Sequence, residues 1–279
     1  MSPAKVFMYD KPNGLLKWRG KTNIPFAPVV TPPATSVTAS VENTGVPSGT
    51  TLTTSGSTYL STASAVYDGV HFTGALVQIV GNNQSFTNCK FTGEVVILGD
   101  NVILNRCEAA AFSFSGAWGT RGTGLRAFGG IGKDNFHVTS DTGQSGNIEL
   151  RRLYARGTVA QMIGGSGNHF DGIQVRGVDG LLVEDFVFVL EAPGVDDLHN
   201  AAIFIQEANG GSRGCIFRHG LVRSGGWQTF SLYAESVHLE NITVMPKPRG
   251  VYVTADSWAF TQDSIQLEGG TPLVLTAGV

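Results

Sequence analysis

The sequence predicts an all-β protein in which the chain winds through stacked coils, a parallel β-helix. The 279 residues include 37 glycines and many Thr, Ser, Val and Asn residues, which favour strands and turns over helices. No helical period of apolar residues extends beyond about two turns. A seven-residue segment recurs along most of the chain, and an internal repeat of this kind is typical of a solenoid.

The clearest copy of the repeat lies within residues 168–188. Two strands are predicted there, Gly172–Arg176 and Leu182–Phe188, joined by a turn rich in Gly and Asp. The second strand is expected to bend at Glu184 and Asp185. Its inward side chains are expected to be Val183, Phe186 and Phe188.

Seven copies align in one column, with positions 2, 5 and 7 mostly apolar or small and positions 3 and 4 mostly polar. They are Val66–Phe72, Ser85–Phe91, Ile103–Ala109, Glu149–Ala155, Leu182–Phe188, Ile216–Val222 and His238–Val244. A coil cannot bury its apolar side chains alone, so coils must stack, about 4.8 Å apart, with equivalent residues in ladders. Asn88, Arg106 and Asp185 are predicted to share one column, at the bend. The start-to-start intervals vary from 18 to 46 residues, and the long ones indicate either an inserted loop or an unrecognised coil.

Two features of the repeat leave alternatives open. Cys89 and Cys107 occupy the same position of consecutive copies. They form either a disulfide or metal pair, or two small side chains stacked in the core, and the lack of further ligand-like spacing favours the core. The segment Ala110–Asn147 is expected to interrupt the repeat, either as a functional loop or as an excursion that covers one face.

The chain is predicted to have two parts, residues 1–40 and residues 41–279. In the first part, Val6–Tyr9 and Leu15–Trp18 flank the turn sequence DKPNG, which predicts a small β-hairpin. The proline-rich segment Thr22–Ser40 is expected to be an extended arm or linker. This part either caps the β-helix or anchors it to a partner protein.

Charge and hydropathy exclude several classes of partner. The net charge of −3 gives no overall electrostatic case for nucleic acid. No apolar run approaches the roughly 20 residues that a membrane span needs. The N-terminus lacks the apolar core and cleavage site of a secretion signal, so synthesis in a cytoplasm without export by that route is expected.

Two stretches carry a resemblance to a known group. Asn43–Thr53 (NTGVPSGTTLT) resembles the entry motif of right-handed β-helix proteins of the pectate-lyase-like superfamily, found in secreted actinobacterial proteins and in minor tail proteins of phages that infect such hosts. His169–Gln174 (HFDGIQ) resembles a stretch of the same group. The resemblance covers roughly residues 43–250. It implies a single-stranded, right-handed β-helix.

A start without a secretion signal, followed by a proline-rich arm, is similar to phage virion proteins. The resemblance therefore implies a tail-tip, fibre or spike component of the virion, docked to other tail proteins through residues 1–40. It also implies several copies, expected to be a homotrimer. Because fold does not fix function, the activity has to be argued from a site.

Candidate catalytic groups are the residues His169, Asp171, Asp196, Asp197 and Glu207. Asp171 is placed to orient His169 as a general base, and a carboxylate pair across adjacent coils is suited to glycoside hydrolysis. The alternative for His169 and Asp171 is hydrogen bonding to backbone at the coil entry. Lyase chemistry would need Ca²⁺ and several oxygen ligands, but no motif indicates a metal or other cofactor.

Candidate carbohydrate-binding residues lie on the outward side of the first strands of successive coils. They are Gln174, Phe204, Tyr233 and Tyr252. The three aromatic residues either form a stripe on which sugar rings stack or are scattered surface aromatics or a subunit contact.

Two main hypotheses for the function follow, beside a third in which the protein is a purely structural spike or decoration with no ligand. The first is a non-enzymatic tail component that presents a surface to the host envelope or to other tail proteins. The second is an enzyme, a lyase or hydrolase, that degrades a host cell-surface glycan. An enzyme needs two or more of the acidic groups within about 5–10 Å of each other over an open groove.

Overall fold

The computed structural model describes residues 38–130, 134–157, 170–190, 200–224, 229–245 and 260–275, together with the backbone of four short strands elsewhere. The chain divides into two compact units, residues 1–36 and 37–279. No helix long and apolar enough to cross a membrane occurs among the described residues.

The first unit contains one small antiparallel sheet. Its strands are β1 (Phe7–Asp10), β2 (Leu15–Trp18) and β3 (Ile24–Pro25). The division of the chain at residue 40 and the anchoring role of residues 1–40 stay predictions.

Among the residues that the structure describes, the second unit forms two large sheets of nine and fifteen strands, and every strand pair within both of them is parallel. Sheet I has nine strands. They are β5 (Tyr59–Leu60), β8 (Leu76–Ile79), β11 (Glu94–Ile97), β14 (Ala111–Ser115), β16 (Phe136–Thr139), β18 (Ile173–Arg176), β21 (Ile203–Gln206), β23 (Phe230–Leu232) and β25 (Val253–Ala255).

Sheet II has fifteen strands, because the chain contributes to it both before and after a bend. Before the bend lie β6 (Val66–Asp68), β9 (Ser85–Thr87), β12 (Ile103–Asn105), β19 (Val178–Glu184) and β26 (Phe260–Asp263). After it lie β4 (Thr53–Ser55), β7 (Val70–Phe72), β10 (Lys90–Phe91), β13 (Glu108–Ala109), β20 (Val187–Leu190) and β27 (Gln266–Leu267). Four strands run through it: β15 (Arg121–Ala127), β17 (Ser145–Arg156), β22 (Arg213–Ser224) and β24 (Val237–Val244).

The order of the strands shows how the chain is laid down. From a strand of sheet I the chain passes to sheet II, bends within it, and returns to sheet I beside its previous strand. We call one such passage a round. The prediction of an all-β protein with long parallel sheets is confirmed, and the pairing is consistent with a parallel β-helix.

Buried side chains alternate with outward ones along the strands, and the inward ones stack from round to round. The rings of Phe72 and Phe91 are stacked with centroids 5.0 Å apart, and those of Phe112 and Phe136 with centroids 5.6 Å apart. Val183, Phe186 and Phe188 are buried as predicted. Cys89 and Cys107 are free thiols in this core, which confirms the expectation of two stacked side chains.

The bend in sheet II is made by one residue per round in the left-handed region, with φ between 49° and 67°. The column comprises Gly69, Asn88, Arg106, Gly124, Arg152, Asp185, His219, Asn241 and Ser264. The predicted alignment of Asn88, Arg106 and Asp185 is therefore confirmed. Asn and Gly adopt this conformation most readily, whereas the other side chains adopt it at some cost in free energy.

The expectation that Ala110–Asn147 interrupts the repeat is wrong. The segment carries β14, β15 and β16, which pair with the neighbouring rounds in the same register as the others. The unrecognised copy is Arg121–Ala127, which has Gly122 at the apolar second position. A Cβ at Gly122 would lie 2.7 Å from Cδ1 of Leu125, so that leucine fills the space instead.

Both ends of the second unit are held by contacts across rounds. At its start, Arg106 donates hydrogen bonds to the carbonyl oxygens of Gly45 and Glu42, and Arg126 donates to that of Val41. At its end, the Gln262 side chain bonds both the N–H and the carbonyl of Leu275.

Candidate functional site

The connection from sheet II back to sheet I forms one corner of the second unit. The length of this connection differs between the early and the later rounds. In the early rounds it is tight, comprising only Thr73–Ala75, then Thr92–Gly93, then Ala110. In later rounds it runs over residues 128–135, 157–172 and 191–202. The candidate catalytic residue Asp171 lies at the end of one of these longer connections.

Asp171 is buried, with 1% of its surface exposed, just before β18. Its Oδ1 accepts a hydrogen bond of 2.8 Å from the backbone N–H of Ala201. Its own N–H donates a hydrogen bond of 2.8 Å to Oδ1 of Asp134. Asp134, Asp171 and Ala201 precede strands of three successive rounds, so Asp171 ties these rounds together at the corner.

The electrostatics of Asp171 favour its neutral form. Burial raises the pKa of this carboxyl well above its usual range, and the nearby carboxylate of Asp134 raises it further. The hydrogen bonds from Ala201 and from the Asn200 side chain act in the opposite direction. Two neighbouring carboxyl groups on adjacent rounds, one of them buried with a raised pKa, are suited to acid–base chemistry. Here, however, the buried carboxyl already bonds to backbone, the alternative that the sequence also offered.

Glu207 is exposed and follows β21. Ala201, which contacts Asp171, precedes the same strand. At ~3.3 Å per residue, Asp171 and Glu207 are therefore about 20 Å apart along the sheet, more than the roughly 5–10 Å between the two carboxyl groups of a glycosidase. These two residues are not brought together. His169, Asp196 and Asp197 lie outside the described residues, and their catalytic roles stay predictions.

Three of the candidate carbohydrate-binding residues, Gln174, Phe204 and Tyr233, occupy two outward columns of sheet I. Gln174 pairs with Phe204, which pairs with Ser231 on the next strand. Tyr233 lies further along, where its N–H donates to the carbonyl of Ile205, next to Gln206. Phe204 and Tyr233 therefore belong to different columns, and Tyr252 lies outside the described residues. Sugar binding by this set stays a prediction.

A charged cluster beside the bend was not recognised in the sequence. The buried carboxylate of Glu184 accepts hydrogen bonds from Arg151 and, at 2.7 Å, from Nε of Arg218. Nδ1 of His219 lies 3.5 Å from Oδ1 of Asp185, whose pKa is raised by burial. The third position of the repeat could have indicated this cluster. Along that column the sign of the charge alternates from round to round, in Arg151, Glu184, Arg218 and Glu240. This cluster joins rounds to one another.

Among the described residues no group of three or more His, Cys, Asp or Glu side chains is arranged to hold a metal ion. Comparisons of the chain with protein-family models, with curated proteins and with solved structures give no match. The function is therefore argued from the sheets and their surfaces, together with the resemblance of residues 43–53 and 169–174.

Proposed function

We propose that this protein is a non-enzymatic component of a phage tail tip. In this proposal the second unit is a right-handed parallel β-helix that presents a binding surface to the host envelope or to other tail proteins. Residues 1–40, including the small hairpin, dock the protein to the virion. The assembled form is a homotrimer without a cofactor, located in the virion tail.

The placement of Asp171 is the observation that carries the proposal. Its carboxyl group is buried, bonded to the backbone of the next round, and about 20 Å from Glu207 at ~3.3 Å per residue. A buried carboxyl that bridges rounds stabilises the scaffold, whereas a catalytic carboxyl must reach its substrate. The two extended sheets form a scaffold that suits the presentation of a binding surface.

The proposal is tested by measuring cell binding and glycan cleavage with the same preparations. The wild type is expected to bind host cells saturably and to release no reducing ends or unsaturated products from host envelope glycan. The variant Asp171→Asn, which keeps an oxygen acceptor for the Ala201 N–H, is expected to bind cells equally well. Product release by the wild type that disappears in Asp171→Asn would contradict the proposal.

The alternative is a glycan lyase or hydrolase, and one observation favours it. Asp134 is partly exposed and adjoins Asp171, whose raised pKa favours the protonated form that a general acid needs. This alternative predicts that Asp134→Asn and Asp171→Asn each abolish product release while cell binding persists.

A further inference from the structure

A groove of about 480 Å³ lies at the corner of the second unit opposite to the one that holds Asp171. Here each strand of sheet I passes into sheet II, and the turns of four successive rounds come together. These turns and the first residues of the strands that follow them contribute Trp118 and residues 140, 143–145, 177–179, 209–211 and 213. The volume falls within the range of small-molecule sites, roughly 300–1,000 Å³.

Trp118 forms the aromatic wall of the groove, with 41% of its surface exposed. Its backbone N–H donates a hydrogen bond of 3.0 Å to Oδ1 of Asp100, and its backbone carbonyl accepts one of 2.8 Å from the backbone N–H of Asn101. A Cβ at Gly146 would lie 2.6 Å from Cζ3 of Trp118, so the ring rests directly on the backbone of the next round. The ring is therefore held in place before any ligand arrives, which lowers the entropic cost of binding.

The rest of the lining is polar and carries paired charges. Oδ2 of Asp179 and Nη2 of Arg213 are 2.7 Å apart, and each side chain is about half exposed. The side chain of the lining residue Asn209 donates a hydrogen bond to Asp141, which lies outside the lining and pairs with Arg176 at 3.1 Å. Carboxylate, guanidinium and amide groups with exposed edges thus stand beside one aromatic face.

This combination defines a class of ligand. An aromatic ring offers a face to the C–H side of a sugar, while planar amide, carboxylate and guanidinium groups bond its hydroxyls. Because the two charged lining residues, Asp179 and Arg213, are paired with each other, the groove has no surplus charge to attract an anionic or cationic ligand. A drug-like apolar ligand is disfavoured, since apart from Trp118 and Val178 the lining is polar or glycine.

We propose that this groove binds a neutral sugar unit of a polysaccharide, with Trp118 as the stacking platform and Asp179, Arg213 and Asn209 as hydroxyl partners. The proposal rests on the proposed function, and it assigns the glycan contact to this corner instead of to the outward columns of sheet I. Binding across four rounds also makes the site depend on their register, so it exists only in the folded second unit.

The test is affinity electrophoresis through gels that contain a neutral polysaccharide (dextran, mannan or arabinogalactan) or the anionic polysaccharide alginate. Wild type is expected to be retarded by at least one neutral polysaccharide and not by alginate. Trp118→Ala is expected to weaken retardation about tenfold, the effect of losing one stacked ring, and Trp118→Phe less. Tyr59→Ala is the matched control, because Tyr59 is an exposed aromatic residue of the first described strand of sheet I, 62% exposed and outside the groove.

Thermal unfolding of each variant is measured to check that the fold is kept. No retardation of wild type by any of the three neutral polysaccharides, or equal retardation of wild type and Trp118→Ala, overturns the assignment of the groove. If host-cell binding then persists in Trp118→Ala, the proposed function stands and its contact lies elsewhere. If wild type binds neither cells nor any glycan, the proposed function fails as well.

Discussion

The ring of Phe186 occupies the space above Gly220 on the neighbouring round: a Cβ at Gly220 would lie 2.2 Å from Cζ of that ring. Both residues lie immediately beyond the bend column, Phe186 after Asp185 and Gly220 after His219. The absence of a side chain at one round thus makes room for a phenylalanine ring of the round before it.

Gly220→Ala is expected to destabilise the protein by about 1–3 kcal/mol, because the added methyl group forces the buried ring and its neighbours to shift. The measurement is the free energy of unfolding from a urea titration. Gly56→Ala is the control, since a Cβ there meets nothing within 4 Å. Equal stability of the two variants would show that the core yields at Phe186 without cost.

Removal of the Glu184 carboxylate leaves two buried or half-buried arginines without their shared partner. Glu184→Ala is expected to cost about 3–5 kcal/mol, the usual effect of breaking a buried ion pair. The control Glu149→Ala removes a more exposed carboxylate, 3.8 Å from both Arg121 and Arg151, and is expected to cost no more than about 1 kcal/mol. A small loss in Glu184→Ala would mean that water reaches Arg151 and Arg218.

The buried carboxyl of Asp171 predicts a pH dependence of stability. Its pKa is raised in the folded state, so the folded protein holds a proton that the unfolded chain releases above about pH 4. Stability contributed by this group is therefore fully present below the unfolded pKa and falls as the pH rises toward the folded pKa. Asp171→Asn, which cannot ionise, is expected to lose less stability than wild type between pH 4 and pH 7.

Thermal unfolding of the two proteins across this range checks the expectation. Glu207→Gln serves as the control, because Glu207 is exposed at the far end of the neighbouring strand. If the stability of wild type and of Asp171→Asn changed with pH to the same extent, the predicted effect of Asp171 on the pH dependence would be contradicted.

Two truncations separate anchoring from folding. Deletion of residues 1–36 removes the first compact unit and keeps Val41, Glu42 and Gly45, whose carbonyl oxygens accept hydrogen bonds from Arg106 and Arg126. This protein is expected to fold and to lose assembly with tail proteins. Deletion of residues 1–45 is expected to cost a further 2 kcal/mol or so, because the two arginines lose their acceptors. Unfolding of the shorter deletion would contradict the anchoring role.

Much of the fold can be predicted from the sequence, because each round repeats the same pattern of inward apolar and outward polar positions. The bend column was predictable from Asn88, Arg106 and Asp185, since the polar positions of the repeat fall where the backbone turns. Arg121–Ala127 was missed because Gly122 replaces an apolar residue whose volume Leu125 supplies. A pattern of residue types at fixed positions does not show that the side chain at one position fills the core space at another.

The candidate site was less predictable, for a related reason. Asp171 stood out through its local motif, but its partner Asp134 belongs to a round that the sequence did not reveal. The groove beside Trp118 consists of turns from four rounds with no shared motif. The residues of the groove come together only because the rounds stack. A pattern in a single sequence describes each turn separately and therefore does not show that these turns are neighbours.

The tight early corners and the long later ones divide the protein into two zones with different tolerance of change. At Gly93 even one methyl group would lie 1.9 Å from the carbonyl oxygen of Ala75, so the early rounds permit neither insertion nor most substitutions there. In the later rounds the connections 128–135, 157–172 and 191–202 differ in length, while the strands on either side pair in the same way. The early rounds therefore fix the length of this corner, whereas the later rounds carry corners of different length on the same scaffold.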